Sequence, residues 1–408
     1  MNIHLLRSTI HPQSSLTITG SKSESNRLLL LQALYPNVDI KNGSNSDDSV
    51  LMRKALESKD EVIDIHHAGT AMRFLTAYFS IQEDRTVMLT GSSRMKERPI
   101  KILVDALQDL GADIEYVENE GYPPLRIRGK KLTKSKVTLK ANVSSQYISA
   151  LLLIASRLEH GLELTLDGKI TSVPYIKMTL NLLEQLGIET CFNANVIIVK
   201  PFSKIDVSKT TIVESDWSSA SYFYSIVSLS ALHSEITLST YKQESLQGDS
   251  VLADLYKAFG IETTFENNSI TIKKTAHIEE ESKIEFNLSN APDIAQTIAV
   301  TAFGLGLECY LTGLHTLKIK ETDRLVALKT ELEKLGGEVT ITDATLHLKP
   351  SSSIKSDVTI ATYNDHRMAM AFAPLGLKTA LKIENAEVVS KSYPQFWEDL
   401  SSLGFLVK

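Results

Sequence analysis

Basic side chains stand near the start of several long apolar stretches of the sequence. Lys22 and Arg27 open SKSESNRLLLLQAL, Arg73 lies in AGTAMRFLTAYF, and His366 and Arg367 lead into the apolar part of NDHRMAMAFAPLG. An unpaired charge at the mouth of an apolar helix is costly to desolvate. An anionic ligand would remove that cost, and arginine matches phosphate and carboxylate with paired hydrogen bonds. These residues therefore predict a site for small anions.

Two polar loops carry further charges. GSSRMKERPI, residues 91–100, contains Arg94, and LKIKETDRL, residues 317–325, brings Lys320 and Arg324 together. Each loop alone is compatible with an exposed charged surface, which is the usual position of lysine and arginine. Together with the helix starts, they favour a pocket for substrates that carry several negative charges.

Two acids among these basic residues are candidates for proton transfer. Asp293 opens the apolar stretch PDIAQTIAVTAFG, and Glu321 lies inside the basic loop LKIKETDRL. A carboxylate held beside the reacting atoms can act as a general acid or base. A Pro-Asp pair at a helix start is also an ordinary N-cap, so a purely structural role for Asp293 stays open.

Several other kinds of site are not supported by the sequence. It has no GxxxxGK[ST] phosphate-binding loop, and the adjacent His66 and His67 lack the spacing of a metal pair on a helix, so a loop or strand position is expected. Cys191 and Cys309 are too few for a four-cysteine zinc site and are predicted to be strand residues. We expect neither a metal nor an organic cofactor.

The composition is that of a globular α/β protein. Of 408 residues, 43% are hydrophobic and 23% charged, which excludes a disordered chain. The net charge of −6 provides no general attraction for nucleic acid. The sequence lacks the run of ~18 apolar residues that a membrane helix needs and the features of a signal peptide. We expect a cytoplasmic monomer without a nucleic-acid or membrane partner.

Six apolar helices recur along the chain at nearly regular intervals. Each begins with a small polar cluster and is apolar on nearly every side, as buried helices are. With one marker residue for each start, the intervals are 47, 75, 74, 74 and 73 residues. The markers are Ser23, Thr70, Ser145, Ser219, Asp293 and His366. This regularity predicts six repeats, the first of them shortened. A solenoid without chemistry is the plain alternative, and the polar helix starts argue against it.

An amphipathic helix that ends in a glycine follows in five of the six repeats. The glycines stand where helix C-caps are expected: Gly111, Gly187, Gly260, Gly336 and Gly404. Runs rich in β-branched residues predict strands, among them VTLKANV, VIIVKPF, SITIKK and TLHLKP. The repeats divide three and three near residues 210–216. We expect the N-terminal strand, within residues 1–9, to complete the second half.

The sequence resembles the 5-enolpyruvylshikimate-3-phosphate synthase family, the 3-phosphoshikimate 1-carboxyvinyltransferases. The matching motifs follow the family order over essentially the whole chain: GSKSESNR, HAGTAMR, LTGSSRMKERPI, SSQY, SVPYI, SDWSSASYF, PDIAQTIA, KETDRL, YNDHRMAMA and KSYP. RMKERP, KETDR and NDHRMAM are the most specific of them.

The resemblance implies the enolpyruvyl transferase fold. This α/β fold has two inside-out, barrel-like domains, each of three βαβαββ units with buried helices and outer sheets. Residues 1–20 and 217–408 would form a discontinuous C-terminal-half domain, and residues 21–216 an inserted N-terminal-half domain. The active site would lie in the cleft between them.

The resemblance also implies a reaction. The enolpyruvyl group of phosphoenolpyruvate would move to the 5-hydroxyl of shikimate 3-phosphate, giving 5-enolpyruvylshikimate 3-phosphate and phosphate. The route is addition and elimination through a tetrahedral intermediate, without a cofactor, on the shikimate pathway to chorismate and the aromatic amino acids. Both substrates are phosphorylated carboxylates, which fits a local basic site in an acidic protein.

Matching positions imply the substrate contacts. Shikimate 3-phosphate would contact Lys22, Ser23, Arg27, Ser144, Ser145, Gln146, Ser172, Tyr175, Asp293 and Lys320. Phosphoenolpyruvate would contact Lys22, Gly69, Arg94, Gln146, Arg324, Arg367 and Lys391. Three residues would be catalytic. Asp293 would accept the proton of the 5-hydroxyl, Glu321 would help to deliver a proton to the methylene carbon, and Lys22 would face both substrates.

Four positions depart from the family pattern. His67 replaces an asparagine, Phe74 a proline, Val173 a lysine and Thr316 an asparagine. None of these changes removes a proposed acid or arginine, so the implied reaction is retained. The affinity for substrates and the sensitivity to glyphosate stay open.

Two other functions stay open on the same fold. UDP-N-acetylglucosamine enolpyruvyl transferase usually carries a reactive cysteine near an arginine on a mobile loop, and neither cysteine here fits. A non-catalytic anion-binding protein would gain nothing from Asp293 and Glu321. Phosphate release from phosphoenolpyruvate that depends on shikimate 3-phosphate separates these alternatives.

Overall fold

The computed structural model describes residues 1–140, 144–168, 170, 172–205, 208–279 and 281–408. The chain divides into two compact parts. We call Gly20–Val213 the continuous lobe, and Met1–Thr19 together with Glu214–Lys408 the discontinuous lobe. Both lobes consist of short strands and of helices whose side chains are largely buried.

The strands are short, and most have three to six residues. In chain order they are β1 Ile3–Leu5, β2 Gln13–Thr17, β3 Val38–Lys41, β4 Val62–Asp64, β5 Thr86–Thr90, β6 Asp113–Tyr116, β7 Leu125–Arg128, β8 Lys136–Lys140, β9 Leu162–Asp167, β10 Thr190–Asn193, β11 Val196–Val199, β12 Lys209–Ile212, β13 Glu235–Ser239, β14 Ile261–Glu266, β15 Ser269–Lys274, β16 Lys283–Asn287, β17 Glu308–Thr312, β18 Val339–Ile341, β19 Leu346–Leu348, β20 Val358–Ile360 and β21 Leu381–Ile383.

The α-helices range from one turn to more than three. They are α1 Lys22–Leu34, α2 Asp47–Glu57, α3 Gly69–Ser80, α4 Ser93–Lys96, α5 Lys101–Asp109, α6 Ser145–Ala155, α7 Val173–Gln185, α8 Trp217–Leu229, α9 Leu252–Leu255, α10 Ala295–Leu305, α11 Arg324–Lys334, α12 His366–Phe372 and α13 Phe396–Ser402. Turns of 3₁₀-helix cover Gly248–Val251, Tyr256–Phe259, Pro292–Ile294, His315–Ile319, Ala373–Leu377 and Ala386–Lys391.

The six predicted apolar helices are confirmed as helices with largely buried residues. They are α1, α3 and α6 in the continuous lobe and α8, α10 and α12 in the discontinuous lobe. Their residues are buried on nearly every side because the sequence offers no polar face to water. In α3, for example, every residue but Thr70 is buried.

The five predicted C-cap glycines are also confirmed. All have a positive φ, from +71° at Gly260 to +111° at Gly404, and each follows a helical segment. One of these segments differs from the prediction, because residues 248–259 form two 3₁₀ turns around the single α-turn α9 instead of a full α-helix. Leu252, Tyr256 and Phe259 still face the core there, since spacings of three and four residues suit both kinds of helix.

The sheets of the continuous lobe follow the predicted repeats. Two four-stranded sheets have the orders β4-β5-β7-β6 and β10-β11-β9-β8. In each, a parallel pair joined through an apolar helix continues into an antiparallel hairpin, which gives the pattern βαβαββ. The shortened first repeat pairs β3 with β12 in parallel. The last three residues of the predicted strand VTLKANV lie outside the described residues.

The discontinuous lobe repeats this pattern and includes the N-terminal strands. Its sheets have the orders β14-β15-β13-β2, β16-β17-β19-β18 and β1-β21-β20. Strand β2 lies parallel to β13, and β1 lies antiparallel to β21, with an additional bridge between Leu5 and Val407. Strands from the start of the chain therefore complete the first and last sheets of this lobe. Over the described residues, the sheets of both lobes are separate and none closes into a barrel.

Among the residues that the structure describes, no helix has the length and apolar character needed to cross a membrane.

Candidate active site

Among the described residues of the continuous lobe, four helices begin without a side-chain cap, and α1 and α3 are two of them. Ser21 precedes α1 and Ala68 precedes α3, and neither side chain accepts a hydrogen bond from the helix start. The first N–H groups of a helix point outward and favour an anion. Lys22 and Ser23 form the first turn of α1, and Gly69 is the first residue of α3. These two helix starts therefore offer positions for negatively charged groups.

Lys22 lies beside an acidic group that the sequence analysis did not single out. Its Nζ is 3.9 Å from Oδ2 of Asp48, a buried residue of α2. The other oxygen of Asp48 lies 3.8 Å from Nε2 of His67. His66 and His67 occupy a turn, as predicted, and no group of three potential metal ligands occurs over the described ranges.

Arg27 is buried inside the continuous lobe and is held by protein groups. Its guanidinium donates to Thr179 Oγ1 at 2.7 Å, to Ser149 Oγ at 2.9 Å and to the Ser23 carbonyl at 2.7 Å. Burial lowers the pKa of Arg27 to about 10, which still leaves it charged at neutral pH. The rings of Phe74 and Tyr175 lie 5.3 and 5.9 Å from its Cζ.

The start of α3 is packed closely by two arginines. Arg73 donates to the Gly69 carbonyl at 3.0 Å and to the Pro99 carbonyl at 3.1 Å. The guanidinium of Arg98 lies so near Gly69 that a Cβ on this residue would be 2.4 Å from Nη1. Arg98 therefore brings a positive charge to the helix start, whereas Arg73 has a structural role and donates to backbone carbonyls.

The helices α6 and α7 position the remaining predicted residues of this lobe. Ser144 caps α6 by accepting from the N–H of Gln146 at 3.3 Å, and the Gln146 amide donates to Thr70 Oγ1 of α3 at 3.2 Å. Ser145 is buried in the first turn of α6. Ser172 precedes α7 with a left-handed φ of +53°, a strained conformation for a non-glycine residue that is common at functional sites.

Arg94 is an exposed residue that pairs with a neighbouring glutamate. It lies in the short helix α4, its side chain is 53% exposed, and Nη1 pairs with Glu97 Oε2 at 2.9 Å. An exposed pair of this kind contributes little to stability, so Arg94 can change partner at small cost.

The discontinuous lobe joins five of its six predicted residues in one ionic cluster around Arg324. The Arg324 guanidinium donates to Asp293 Oδ1 at 2.8 Å and to Glu321 Oε2 at 2.9 Å. Its Nε donates to Asp365 Oδ2 at 2.6 Å. Lys320 Nζ lies 3.3 Å from Asp293 Oδ1, and Arg367 Nη2 lies 3.5 Å from Asp293 Oδ2. The 3₁₀ turn before α10, the segments directly before α11 and α12, and the first turns of these two helices supply the side chains.

Burial and neighbouring charges shift the pKa values of the two arginines of this cluster in opposite directions. Burial lowers the pKa of Arg324, but Asp365, Glu321 and Asp293 raise it above the usual range. The pKa of Arg367 is likewise lowered by burial and is raised more strongly by surrounding groups, with Asp293 foremost. Both arginines therefore stay charged although they are almost inaccessible to water.

Asp293 belongs to this cluster through its carboxylate. Helix α10 begins after Asp293, with Ile294 at the N-cap position and no side-chain cap. Asp293 therefore does not occupy the N-cap position of α10. Its carboxylate contacts three cations and keeps 14% of its side-chain surface exposed, so a substrate hydroxyl can reach it.

The loop before α12 is held in a strained conformation. Tyr363 and Asn364 both have positive φ values, +54° and +55°. Buried Glu331 accepts from the Tyr363 hydroxyl at 2.5 Å, and Lys391 Nζ donates to the Asn364 carbonyl at 2.6 Å. The sixth predicted residue of this lobe, Lys391, is thus tied to the loop that presents Asp365 and Arg367.

One step of the sequence reasoning is corrected by these contacts. Buried arginines at helix starts were expected to need an anionic ligand. Arg27 and Arg73 are instead held by hydroxyl and carbonyl oxygens, and Arg324 by carboxylates of the protein. Burial of a cation near a helix start is therefore not by itself a sign of an anion site. Asp365, which also caps α12 through the Arg367 N–H, was missed, although Asp before an apolar helix is a typical N-cap signal.

Comparison with known proteins decides the family. The model of the family described as EPSP synthase (3-phosphoshikimate 1-carboxyvinyltransferase) matches residues 41–400. The chain belongs to this family. The EPSP synthase family match spans the ionic cluster and five of the six apolar helices, namely α3, α6, α8, α10 and α12.

Relatives and solved structures agree with this family. A 3-phosphoshikimate 1-carboxyvinyltransferase of Bacteroides fragilis is 44% identical over 419 residues, covering 99% of this chain and 98% of that protein. One of Histophilus somni is 35% identical, covering 95% and 96%. An EPSP synthase structure from Acinetobacter baumannii has a TM-score of 0.80 at 22% identity, covering 100% and 99%. The enolpyruvyl transferase NikO from Streptomyces tendae has a TM-score of 0.75 at 14% identity, covering 100% and 98%. These two structures show the fold, which is the predicted enolpyruvyl transferase fold.

Proposed function

We propose that the protein transfers the enolpyruvyl group of phosphoenolpyruvate to the 5-hydroxyl of shikimate 3-phosphate and releases phosphate. The observation that carries this proposal is the ionic cluster of Asp293, Lys320, Glu321, Arg324 and Arg367, in a chain 44% identical to a relative that bears this activity in its name. The cluster combines cations for anionic substrates with two partly accessible acids.

The addition step needs a proton acceptor and a proton donor. We propose that the oxygen of the 5-hydroxyl attacks C2 of phosphoenolpyruvate while Asp293 takes the proton of this hydroxyl. Glu321 delivers a proton to the methylene carbon. Elimination then breaks the bond from C2 to the phosphate oxygen, and loss of a methyl proton restores the double bond. Positive charge from Arg324, Arg367 and Lys22 stabilises the charge that develops on C2 substituents and on the leaving phosphate.

We propose that the continuous lobe supplies most contacts to shikimate 3-phosphate. The assigned residues stand at the starts of α1, α6 and α7: Lys22, Ser23, Arg27, Ser144, Ser145, Gln146, Ser172 and Tyr175. In the discontinuous lobe, Asp293 and Lys320 complete the set. For phosphoenolpyruvate we assign Lys22, Gly69, Arg94, Gln146, Arg324, Arg367 and Lys391. Both lobes therefore contribute to one reaction. The monomeric state and the cytoplasmic location stay predictions.

The proposal is tested by phosphate release from phosphoenolpyruvate with the purified protein. Release is expected only when shikimate 3-phosphate is present, and UDP-N-acetylglucosamine is expected not to replace it. Bound ligands without phosphate release would instead establish a non-catalytic binder. The cysteines already disfavour the UDP-sugar reaction, because Cys191 and Cys309 lie in β10 and β17, and burial raises the pKa of the Cys309 thiol.

Gly69→Ala is expected to weaken phosphoenolpyruvate binding with little effect on folding. The added Cβ would lie 2.4 Å from Arg98 Nη1, so the flexible Arg98 side chain has to leave the start of α3. We expect the KM for phosphoenolpyruvate to rise about tenfold, because one charge-assisted contact is worth ~1.5 kcal/mol. Steady-state kinetics and thermal melting measure the two effects.

Gly43→Ala is the matched control, because a Cβ there would meet only Ile40 Cγ2 at 3.8 Å. It is expected to leave the KM unchanged. A normal KM in Gly69→Ala would show that Arg98 does not contribute to this site.

A further inference from the structure

A chain of polar contacts joins Arg367 to Ser218 and Asp249. Arg367 Nη2 lies 3.5 Å from Asp293 Oδ2 and also donates to Ser218 Oγ at 3.2 Å. The Ser218 hydroxyl in turn donates to Asp249 Oδ2. The same nitrogen of Arg367 thus contacts Asp293 directly and Asp249 through Ser218.

Asp249 is placed unusually for an aspartate that only supports the fold. It belongs to the 3₁₀ turn Gly248–Val251 and is 3% exposed. Within the described part of the chain, its Oδ1 has no hydrogen-bond partner, and neither have Arg367 Nε and the Tyr222 hydroxyl, which are also buried. A buried carboxyl oxygen without a donor favours the neutral acid over the carboxylate.

Some of the groups that face Asp249 raise its pKa and so favour the neutral acid, whereas others lower it. Burial is the largest cause that raises the pKa of Asp249, and the negative charges of Asp293 and Asp216 raise it as well, while Arg367 and the Ser218 hydrogen bond lower it; the net result is a pKa of about 7. A pKa of about 7 lets Asp249 change its charge close to neutral pH.

We propose that Asp249 is a positioning residue for Arg367 that acts through Ser218. The neutral acid leaves the Arg367 guanidinium available to an anionic substrate, whereas the carboxylate attracts it towards Ser218. This inference rests on the proposed function, because it takes phosphoenolpyruvate to be the anion that Arg367 binds. Asp249 itself touches neither substrate in this scheme.

The sign of the expected pH effect follows from the charge of Asp249. Below pH 7 the Asp249 side chain is neutral, so it does not compete with phosphoenolpyruvate for the Arg367 guanidinium. As the pH rises through 7, the new carboxylate competes for Arg367, so the KM for phosphoenolpyruvate should rise by about tenfold, which equals ~1.4 kcal/mol. The turnover number should change less than the KM, because Asp293 and Glu321 are not removed.

The test compares the wild type with Asp249→Asn and Ser218→Ala between pH 6 and 8.5. Phosphoenolpyruvate also titrates in this range, but its titration cancels in the ratio of the wild-type KM to the variant KM at each pH. For Asp249→Asn we expect this ratio to rise in a single step near pH 7. For Ser218→Ala, which removes the link between Asp249 and Arg367, the ratio should rise in the same step.

Two measurements keep the inference separate from effects on folding. Asp254→Asn, at an exposed aspartate of α9, is the control and should give the wild-type profile. Infrared spectra should contain a protonated carboxylic acid band at pH 6 that weakens towards pH 8.5 and is absent from Asp249→Asn. A purely structural role would lower the melting temperature and the turnover number without a pH-dependent step.

Failure of the proposed function and failure of the role of Asp249 would give different results. A wild-type protein that releases no phosphate would refute the proposed function. An active wild type with a flat KM ratio, or with no carboxylic acid band that depends on Asp249, would refute only the role of Asp249.

Discussion

Asp293→Asn is expected to lower the turnover number by about a thousandfold, the scale of a lost general base. The side-chain amide keeps the size of the carboxylate but cannot accept the proton of the 5-hydroxyl. Shikimate 3-phosphate should bind within about threefold of the wild-type affinity, because Lys320, Arg324 and Arg367 all remain and lose a competing negative charge. Phosphate release and equilibrium binding measure the two quantities.

Asp323→Asn is the matched control for this variant. Asp323 caps α11 by accepting from the N–H groups of Leu325 and Val326, both at 3.2 Å. Asparagine caps helices as well as aspartate does, so the control should keep a near-normal rate. A near-normal rate in Asp293→Asn as well would remove Asp293 from the role of base.

Arg324→Met is expected to cost about 4 kcal/mol of unfolding free energy in addition to abolishing turnover. Arg324 is 2% exposed, and Asp365 beside it is fully buried. Methionine fills much of the space but leaves the Asp365 carboxylate without its charged partner in a medium of low dielectric constant. Denaturant unfolding followed by circular dichroism measures the loss.

The double variant Arg324→Met with Asp365→Asn separates charge from packing. Removing the second charge should restore at least half of the lost stability, although activity stays absent. If the single variant unfolds at the wild-type denaturant concentration, or if the second substitution restores nothing, the carboxylate pairing does not stabilise this lobe.

The helices were predictable because a buried helix needs apolar residues on every side, and this pattern is visible in the local sequence. α6 and α10 are apolar on every side, and a glycine such as Gly336 ends the amphipathic helix that follows. The segment 248–259 was less predictable, since Leu252, Tyr256 and Phe259 suit a 3₁₀ turn and an α-helix equally. Local periodicity therefore identifies a buried helical segment more reliably than its exact hydrogen-bond pattern.

The ionic partners in the site were less accessible to sequence reasoning. The motif KETDRL indicates that Lys320, Glu321 and Arg324 act together, because they are close in sequence. Asp365 pairs with Arg324 across 41 positions, and Asp48 approaches Lys22 from another helix. Spacing cannot reveal such partners, since they depend on how separate helices pack. The resemblance to a known family gave the residue roles, while the structure gave their counter-ions.

The pairing of the first two strands has a consequence for synthesis on the ribosome. β2 needs β13 as its partner, and β1 needs β21, which lies more than 370 positions later. A nascent chain that has emerged as far as Val213 holds every residue of the continuous lobe, whereas its leading segment, Met1–Thr19, still lacks all of its sheet neighbours. The order of translation therefore favours vectorial folding, with the inserted half maturing first and the flanking segments uniting only after their late partners have left the exit tunnel.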